Sequence, residues 1–100
     1  MSEEPLAEDE VDRKLQELEI WGQVGDKLAT EIEFNSYKEA VFFANTVFSV
    51  AEKQFHHPKV TVEYGSVIID VTTHEAEGLT EKDFAFAKEV EENLGEMDWS

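Results

Sequence analysis

The sequence contains no cysteine, few basic residues and no long apolar run. Without cysteine, the chain has no disulfide bond, no thiolate metal site and no cysteine nucleophile. Only 8 Lys and Arg accompany 24 Asp and Glu, which gives a formal net charge of -16. Because binding to nucleic acid or to an anionic membrane surface requires clustered basic residues, we expect neither kind of partner. No apolar stretch approaches the roughly 20 residues of a membrane-spanning helix.

The residues that are present are enough for one small domain. The chain has 100 residues, of which 41% are hydrophobic, and this length corresponds to a single core. Residues 1–8 include three Glu and have little to bury, so we expect a mobile acidic tail followed by a single domain over residues 9–97. The first residues have neither the basic start nor the apolar stretch of a secretory signal, so we expect a cytoplasmic protein.

Helical patterns alternate with paired strands along the chain. Residues 10–18 have apolar positions at helical spacing, and residues 21–34 predict two strands that turn at Gly25 and Asp26. Residues 60–72 alternate around a Gly-Ser turn and predict a second hairpin. The expected fold is α+β, with a four-stranded antiparallel sheet and three helices packed on one face, in the order helix, two strands, helix, two strands, helix.

The middle helix is the most strongly marked element. Ser36 and Glu39 have the spacing of a capping box, which predicts that a helix begins there. Its apolar residues recur every three or four positions and predict one buried face, made of Tyr37, Ala40, Val41, Ala44, Val47, Phe48, Ala51 and Phe55. Phe43 and Val50 widen this face on one side. They either add contacts to the core or form a subunit interface, since a partner tends to cover apolar area left in water.

The last helix carries a carboxylate on its apolar face. Thr80 and Asp83 have the spacing of a capping box, although Asp replaces the usual Glu or Gln. The predicted buried stripe consists of Phe86, Ala87, Val90, Leu94 and Met97. At 100° per residue Asp83 lies in line with this stripe. It either caps the helix, where the positive end of the helix favours it, or orients a histidine or a ligand.

All three histidines lie where a regular element gives way to a loop. His56 and His57 end the long helix, and His74 follows the last strand. Loops at element ends are where binding and catalytic sites are usually built, although a single loop histidine is also compatible with a solvated side chain. Three histidines with nearby carboxylates are compatible with a zinc site as well.

The residues around the histidines have a specific spacing. Glu52 is followed after three residues by His56-His57-Pro58, then by Tyr64 after five residues, His74 after nine more and Asp83 after eight more. This pattern resembles the pterin-4a-carbinolamine dehydratases, and the resemblance extends from the first helix to the last. The family fold that it implies agrees with the element order predicted above.

The resemblance implies an enzyme, a 4a-hydroxytetrahydrobiopterin dehydratase, which converts a 4a-hydroxytetrahydropterin into quinonoid dihydropterin without metal or cofactor. It implies that His56 and His74 transfer protons and that His57 holds the substrate. Glu52, one helical turn before His56, either orients the ring of His56 or is a solvated helix carboxylate, and Asp83 is the second orienting carboxylate. The implied substrate-binding residues are Phe55, Thr72, Thr73 and Glu75. Phe55 departs from the family, which usually has Asp or Asn there.

The resemblance also leaves alternatives to catalysis open. Animal members of the family act as dimerisation partners of a transcription factor. The same fold could therefore serve as a pterin-binding or protein-interaction module, with a role in another pterin pathway such as molybdenum cofactor metabolism. In either case we expect a small pterin as the ligand and a homodimer or homotetramer as the assembly.

Overall fold

The computed structural model describes residues 4–96 and confirms the predicted order of elements. The helices and strands are α1 (Glu8–Leu15), β1 (Gly22–Val24), β2 (Lys27–Glu33), α2 (Tyr37–Gln54), β3 (Lys59–Glu63), β4 (Ser66–Val71), a 3₁₀ helix (His74–Ala76) and α3 (Glu81–Glu96). None of the helices in residues 4–96 has both the length and the apolar character needed to cross a membrane.

The four strands form one antiparallel sheet in the order β1-β2-β4-β3. The central strand β4 buries Val67, Ile69 and Val71 against the helices, while the residues between them remain partly accessible. In the register, Lys59 at the start of β3 lies opposite Asp70. The start of β2 is likewise next to the end of β4, since Leu28 pairs with Val71. Polar side chains from three strands therefore meet at the carboxyl end of β4.

Helix α2 begins at the predicted cap and fills the core, but with a different face from the one predicted. The Ser36 hydroxyl accepts a hydrogen bond from the Glu39 N–H at 3.2 Å, which confirms the cap. Phe43 and Val50 are buried by this chain's own residues, so the core interpretation is correct and the interface interpretation of these two is wrong. The buried residues of the helix are Ala40, Phe43, Ala44, Val47, Val50 and Ala51.

Three members of the predicted buried face of α2 are exposed, namely Tyr37, Phe48 and Phe55. The reason is that α2 carries more apolar residues than the sheet and α3 can cover, and the covered face is turned toward Phe43. Phe42, beside that face, is exposed as well. The homodimer or homotetramer expected from the sequence stays a prediction.

The first helix begins earlier than predicted and is linked to the rest of the domain. The Leu6 N–H donates to the Leu79 carbonyl at 2.8 Å, and the side chain of Leu6 packs against the core. Trp21, which follows the helix, is buried with its ring edge-on to Phe86. The mobile tail predicted for residues 1–8 stays a prediction, since residues 1–3 lie outside the described ones. Met97, which was predicted for the buried stripe of the last helix, also lies outside them.

Candidate active site

The end of α2 directs two neighbouring histidines in different directions. Phe55 adopts a left-handed conformation, with φ 52° and ψ 47°, and so ends the helix. The N–H of His56 then bonds back to the Ala51 carbonyl at 3.0 Å. As a result the His56 side chain is only 10% exposed, whereas the His57 side chain is 54% exposed.

His56 is paired with a carboxylate inside the protein. Its Nε2 lies 2.6 Å from Oδ1 of Asp83, whose side chain is fully buried. The other carboxylate oxygen, Oδ2, accepts the Thr73 hydroxyl at 2.8 Å and the Thr80 N–H at 2.9 Å. Asp83 thus caps α3 and contacts a histidine at the same time, so both interpretations of its position in the sequence apply.

His57 is paired with a carboxylate at the surface. Its Nε2 lies 2.8 Å from Oε2 of Glu52, whose side chain is 75% exposed. The expectation that Glu52 orients His56 is therefore wrong: the turn at the end of α2 sends His56 into the interior and leaves His57 beside Glu52. The Phe55 ring also contacts His57, with the ring centroids 5.4 Å apart.

His57 and His74 line one cleft at the carboxyl end of β4. Its volume is about 190 Å³, and it is lined by Lys27, His57, Lys59, Asp70, Val71, Thr72 and His74. The structure thus brings together three of the residues predicted for the site, His57, Thr72 and His74. Sequence reasoning missed Lys27, Lys59 and Asp70 as lining residues. The available signal was their position at or near the ends of predicted strands.

The other predicted site residues lie away from the lining of this cleft. Thr73 is 1% exposed and its hydroxyl is bonded inside the protein, so its side chain does not reach a ligand from this position. Glu75 and Phe55 are exposed but are not part of the lining, and His56 lies in the interior. Thr72, by contrast, does line the cleft, and its hydroxyl donates a hydrogen bond to the Asp26 carbonyl at 2.6 Å.

Within residues 4–96, no group of three His, Asp or Glu side chains is arranged to hold a metal ion. The two histidine–carboxylate contacts are separate pairs, and each has a single histidine. Residues 4–96 therefore contain no cluster of ligands that could form the zinc site considered above.

A third carboxylate lies close to the same end of α2. The ammonium group of Lys53 forms an ion pair with Glu89, and Gln54 Nε2 donates to Glu89 Oε1 at 2.6 Å. The hydrogen bond from Lys53, followed by that from Gln54, lowers the pKa of Glu89 below its ordinary value. These contacts attach the last turn of α2 to α3, the helix that supplies Asp83.

Comparison with known proteins supports one family throughout. The family described as Pterin 4 alpha carbinolamine dehydratase matches residues 4–93. A protein of Aquifex aeolicus, provisionally named pterin-4-alpha-carbinolamine dehydratase, is 39% identical over 92 residues, which cover 92% of this chain and 93% of that protein.

Two solved structures share the fold. One is a transcriptional coactivator/pterin dehydratase from Brucella melitensis, with a TM-score of 0.83 and 28% identity, covering 88% of this chain and 96% of that one. The other is a pterin dehydratase-like protein identified as a RuBisCO assembly factor in the alpha-carboxysome. It has a TM-score of 0.65 and 22% identity, covering 79% of this chain and 94% of that one, and shows the fold alone. On the match to the family and to its relatives, the chain belongs to the pterin-4a-carbinolamine dehydratase family.

Proposed function

We propose that this protein dehydrates a 4a-hydroxytetrahydropterin to quinonoid dihydropterin and water, with histidines as general acid and base. The observation that carries the proposal is the cleft in which His57 and His74 are both accessible to a ligand. Membership in the family supports the reaction class. The tetrahydrobiopterin derivative is the substrate that we propose first.

The reaction needs two proton transfers and no change of oxidation state. The bond between C4a and its hydroxyl oxygen breaks, and the departing oxygen takes a proton to become water. The N5–H bond gives its proton to a base, and its electron pair forms the double bond between N5 and C4a. Imidazole is suited to both steps because it titrates near neutrality. Positioned acid or base groups of this kind accelerate reactions roughly 10²- to 10⁴-fold.

The positions of the three histidines favour different roles. His74 lines the cleft and is exposed, which supports a role in exchanging a proton with a bound ligand. His57 also lines the cleft, and its exposed contact with Glu52 can be rearranged around a ligand, which suits a binding role. His56 has Nε2 committed to Asp83, so only Nδ1 remains for a proton transfer.

The two lysines of the cleft favour a second candidate substrate. Lys27 and Lys59 are two of only 8 basic residues in the chain. Their charge would favour a pterin with an anionic substituent, as could arise in the other pterin pathways considered above. The stopped-flow test below is therefore run with a phosphorylated 4a-carbinolamine as well as the neutral one, and faster dehydration of the phosphorylated compound would favour this second candidate.

The test is stopped-flow measurement of 4a-carbinolamine dehydration by the purified protein. We expect acceleration, and we expect both His74→Ala and His74→Gln to lower the rate by at least about tenfold, since neither side chain titrates near neutrality. Glu92→Ala, on an exposed position of α3, is the matched control and should leave the rate unchanged.

Two outcomes would contradict the catalytic proposal. An unchanged rate in both His74 variants would remove His74 from the chemistry. Binding of a stable pterin without any acceleration of dehydration would instead support the alternative of a pterin-binding module. Circular dichroism of each variant shows whether the fold is retained.

A further inference from the structure

A buried chain of hydrogen bonds leads from the start of α3 to His56, and each of its members has a defined direction. Thr73 donates its one hydroxyl proton to Asp83 Oδ2 at 2.8 Å. Thr73 Oγ1 is also 2.8 Å from Thr80 Oγ1, so in this contact Thr80 must be the donor. Thr80 Oγ1 in turn accepts the Lys82 N–H at 3.2 Å. The direction of donation therefore runs from Lys82 through Thr80 and Thr73 to Asp83.

This direction determines what Asp83 presents to His56. Oδ2 already accepts two hydrogen bonds, from the Thr73 hydroxyl and the Thr80 N–H. An ionised carboxylate can only accept hydrogen bonds. Oδ1 is then an acceptor as well, and the group 2.6 Å from it, His56 Nε2, must be the donor. His56 therefore carries a proton on Nε2.

We propose that Thr73 and Thr80 are positioning residues that act through Asp83 to hold His56 in its Nε2–H tautomer, with Nδ1 as the nitrogen that gains and loses a proton. Thr73 directly precedes His74, so the same hydrogen bonds also fix the backbone beside His74. The tautomer follows from the hydrogen bonds alone. Its use in catalysis rests on the proposed dehydratase function.

The role proposed here differs from the one that the sequence implied for Thr73. A side chain that is 1% exposed and donates to a buried carboxylate serves the protein interior and not the ligand. The hydrogen bond made by one ring nitrogen of a histidine determines which form the other nitrogen presents. Loss of the threonine hydroxyls would leave Asp83 with fewer donors and the His56 ring less well fixed.

The tautomer can be measured without any substrate. Protein labelled with ¹⁵N at histidine is observed in long-range ¹H–¹⁵N correlation spectra, and His57→Gln and His74→Gln assign the signals by elimination. In neutral His56 we expect Nε2 to be the protonated nitrogen and Nδ1 the bare one. A protonated Nδ1 and bare Nε2 in the unmodified protein would overturn the proposal.

Asp83→Asn provides a variant in which the same reasoning predicts the opposite tautomer. The Asn carbonyl should stay with its two donors, Thr73 and Thr80, which turns the amide NH₂ toward His56. Nε2 must then accept, and the proton moves to Nδ1. A variant that folds and keeps the original tautomer would show that the hydrogen-bonded network does not set it.

The catalytic part is tested at Thr80 with a graded set of variants. Thr80→Val removes the hydroxyl at nearly constant shape, and we expect kcat to fall about tenfold with KM changed by less than about twofold, as for other residues that orient an active group. Thr80→Ser should restore most of the rate. The control is Thr46→Val, because the Thr46 hydroxyl donates within α2, to the Phe42 carbonyl at 3.3 Å, away from the cleft and from Asp83.

The possible failures can be told apart. A lower melting temperature for Thr80→Val with kcat unchanged would mean a structural role and would overturn the positioning proposal. If the unmodified protein does not catalyse dehydration, the proposed function fails, whereas the ¹⁵N spectra still decide the tautomer. If Thr80→Val and Thr80→Ser lose kcat equally, the hydroxyl is not the group responsible.

Discussion

His56 and His57 are neighbours in the chain, and each is paired with a carboxylate, but their surroundings are opposite. The Nε2 to carboxylate distances are similar, 2.6 Å for His56 with Asp83 and 2.8 Å for His57 with Glu52. The first pair is buried, with side chains 10% and 0% exposed, and the second is open, at 54% and 75%. The same two chemical groups therefore form a fixed pair at one position and an adaptable pair at the next.

Solvent explains the difference. A buried carboxylate that loses its partner stays desolvated and uncompensated, so its pair resists separation. An exposed carboxylate that loses its partner binds water instead, and its pair contributes little to stability. The buried pair is suited to holding a ring in place, and the exposed pair is suited to opening when a ligand arrives.

The two pairs should differ most in how much stability the protein loses when each carboxylate is removed. Asp83→Ala should lower the free energy of unfolding by about 3–5 kcal/mol, because the buried partners His56 and Thr73 lose their acceptor. Glu52→Ala, the matched change in the exposed pair, should lower it by less than about 1 kcal/mol. Urea unfolding followed by circular dichroism measures both. Equal losses would mean that burial does not distinguish the pairs.

A smaller effect is expected at the turn that separates the two histidines. Phe55 holds a left-handed conformation, which costs a non-glycine residue roughly 1–2 kcal/mol, and Asn tolerates that conformation better. Phe55→Asn should therefore raise the free energy of unfolding by about 1 kcal/mol. Phe48→Asn is the control: Phe48 is also exposed on α2 but has helical backbone, so this change should bring no gain. A loss in Phe55→Asn would mean that the ring's contact with His57 outweighs the strain.

The smallest effect concerns Glu89, a carboxylate of intermediate exposure near the same helix end. Its hydrogen bonds from Lys53 and Gln54 lower the pKa of its carboxyl in the folded protein. The contribution to stability is therefore present above the ordinary value of 4.5 and is lost as the pH falls through the lower folded value. Near neutrality Glu89→Gln should cost less than about 1 kcal/mol.

The same variant shows whether this contribution depends on pH as expected. Well below the ordinary value of 4.5, the carboxyl of the unmodified protein is protonated, so its advantage over Glu89→Gln should disappear. Glu92→Gln, on the same helix and exposed, is the control for a general loss of charge. A difference between Glu89→Gln and the unmodified protein that does not change with pH would show that charge is not its cause.

Local signals in the sequence were reliable for elements and caps. The turn at Gly25 and Asp26 and the caps at Ser36 and Thr80 were correct because each depends on residues only a few positions apart. The second hairpin was also correct, but its turn lies at Tyr64 and Gly65, one residue earlier than the predicted Gly-Ser turn, and Ser66 already belongs to β4. The burial of Asp83 was also foreseen, since helical periodicity places it among apolar residues. The exposed face of α2 was missed because periodicity shows which residues share a face and not how much of that face a neighbour covers.

The partners of the histidines were beyond the reach of the sequence. Assigning Glu52 to His56 was reasonable from helical spacing, but a left-handed Phe55 redirects the chain before the histidine is reached. The lysines of the cleft were missed because they meet only when β2, β3 and β4 are in register. Such contacts depend on how the strands align, and no short pattern encodes that alignment.

The amino-acid sequence by itself determined the order of the elements, the strong negative charge, the absence of thiol chemistry and the spacing that identifies the family. Tertiary structure alone decided which histidine is buried and which carboxylate each one contacts. The reason lies in distance along the chain: Glu52 and His57 are 5 residues apart, whereas His56 and Asp83 are 27 apart and meet only after α2 and α3 have packed.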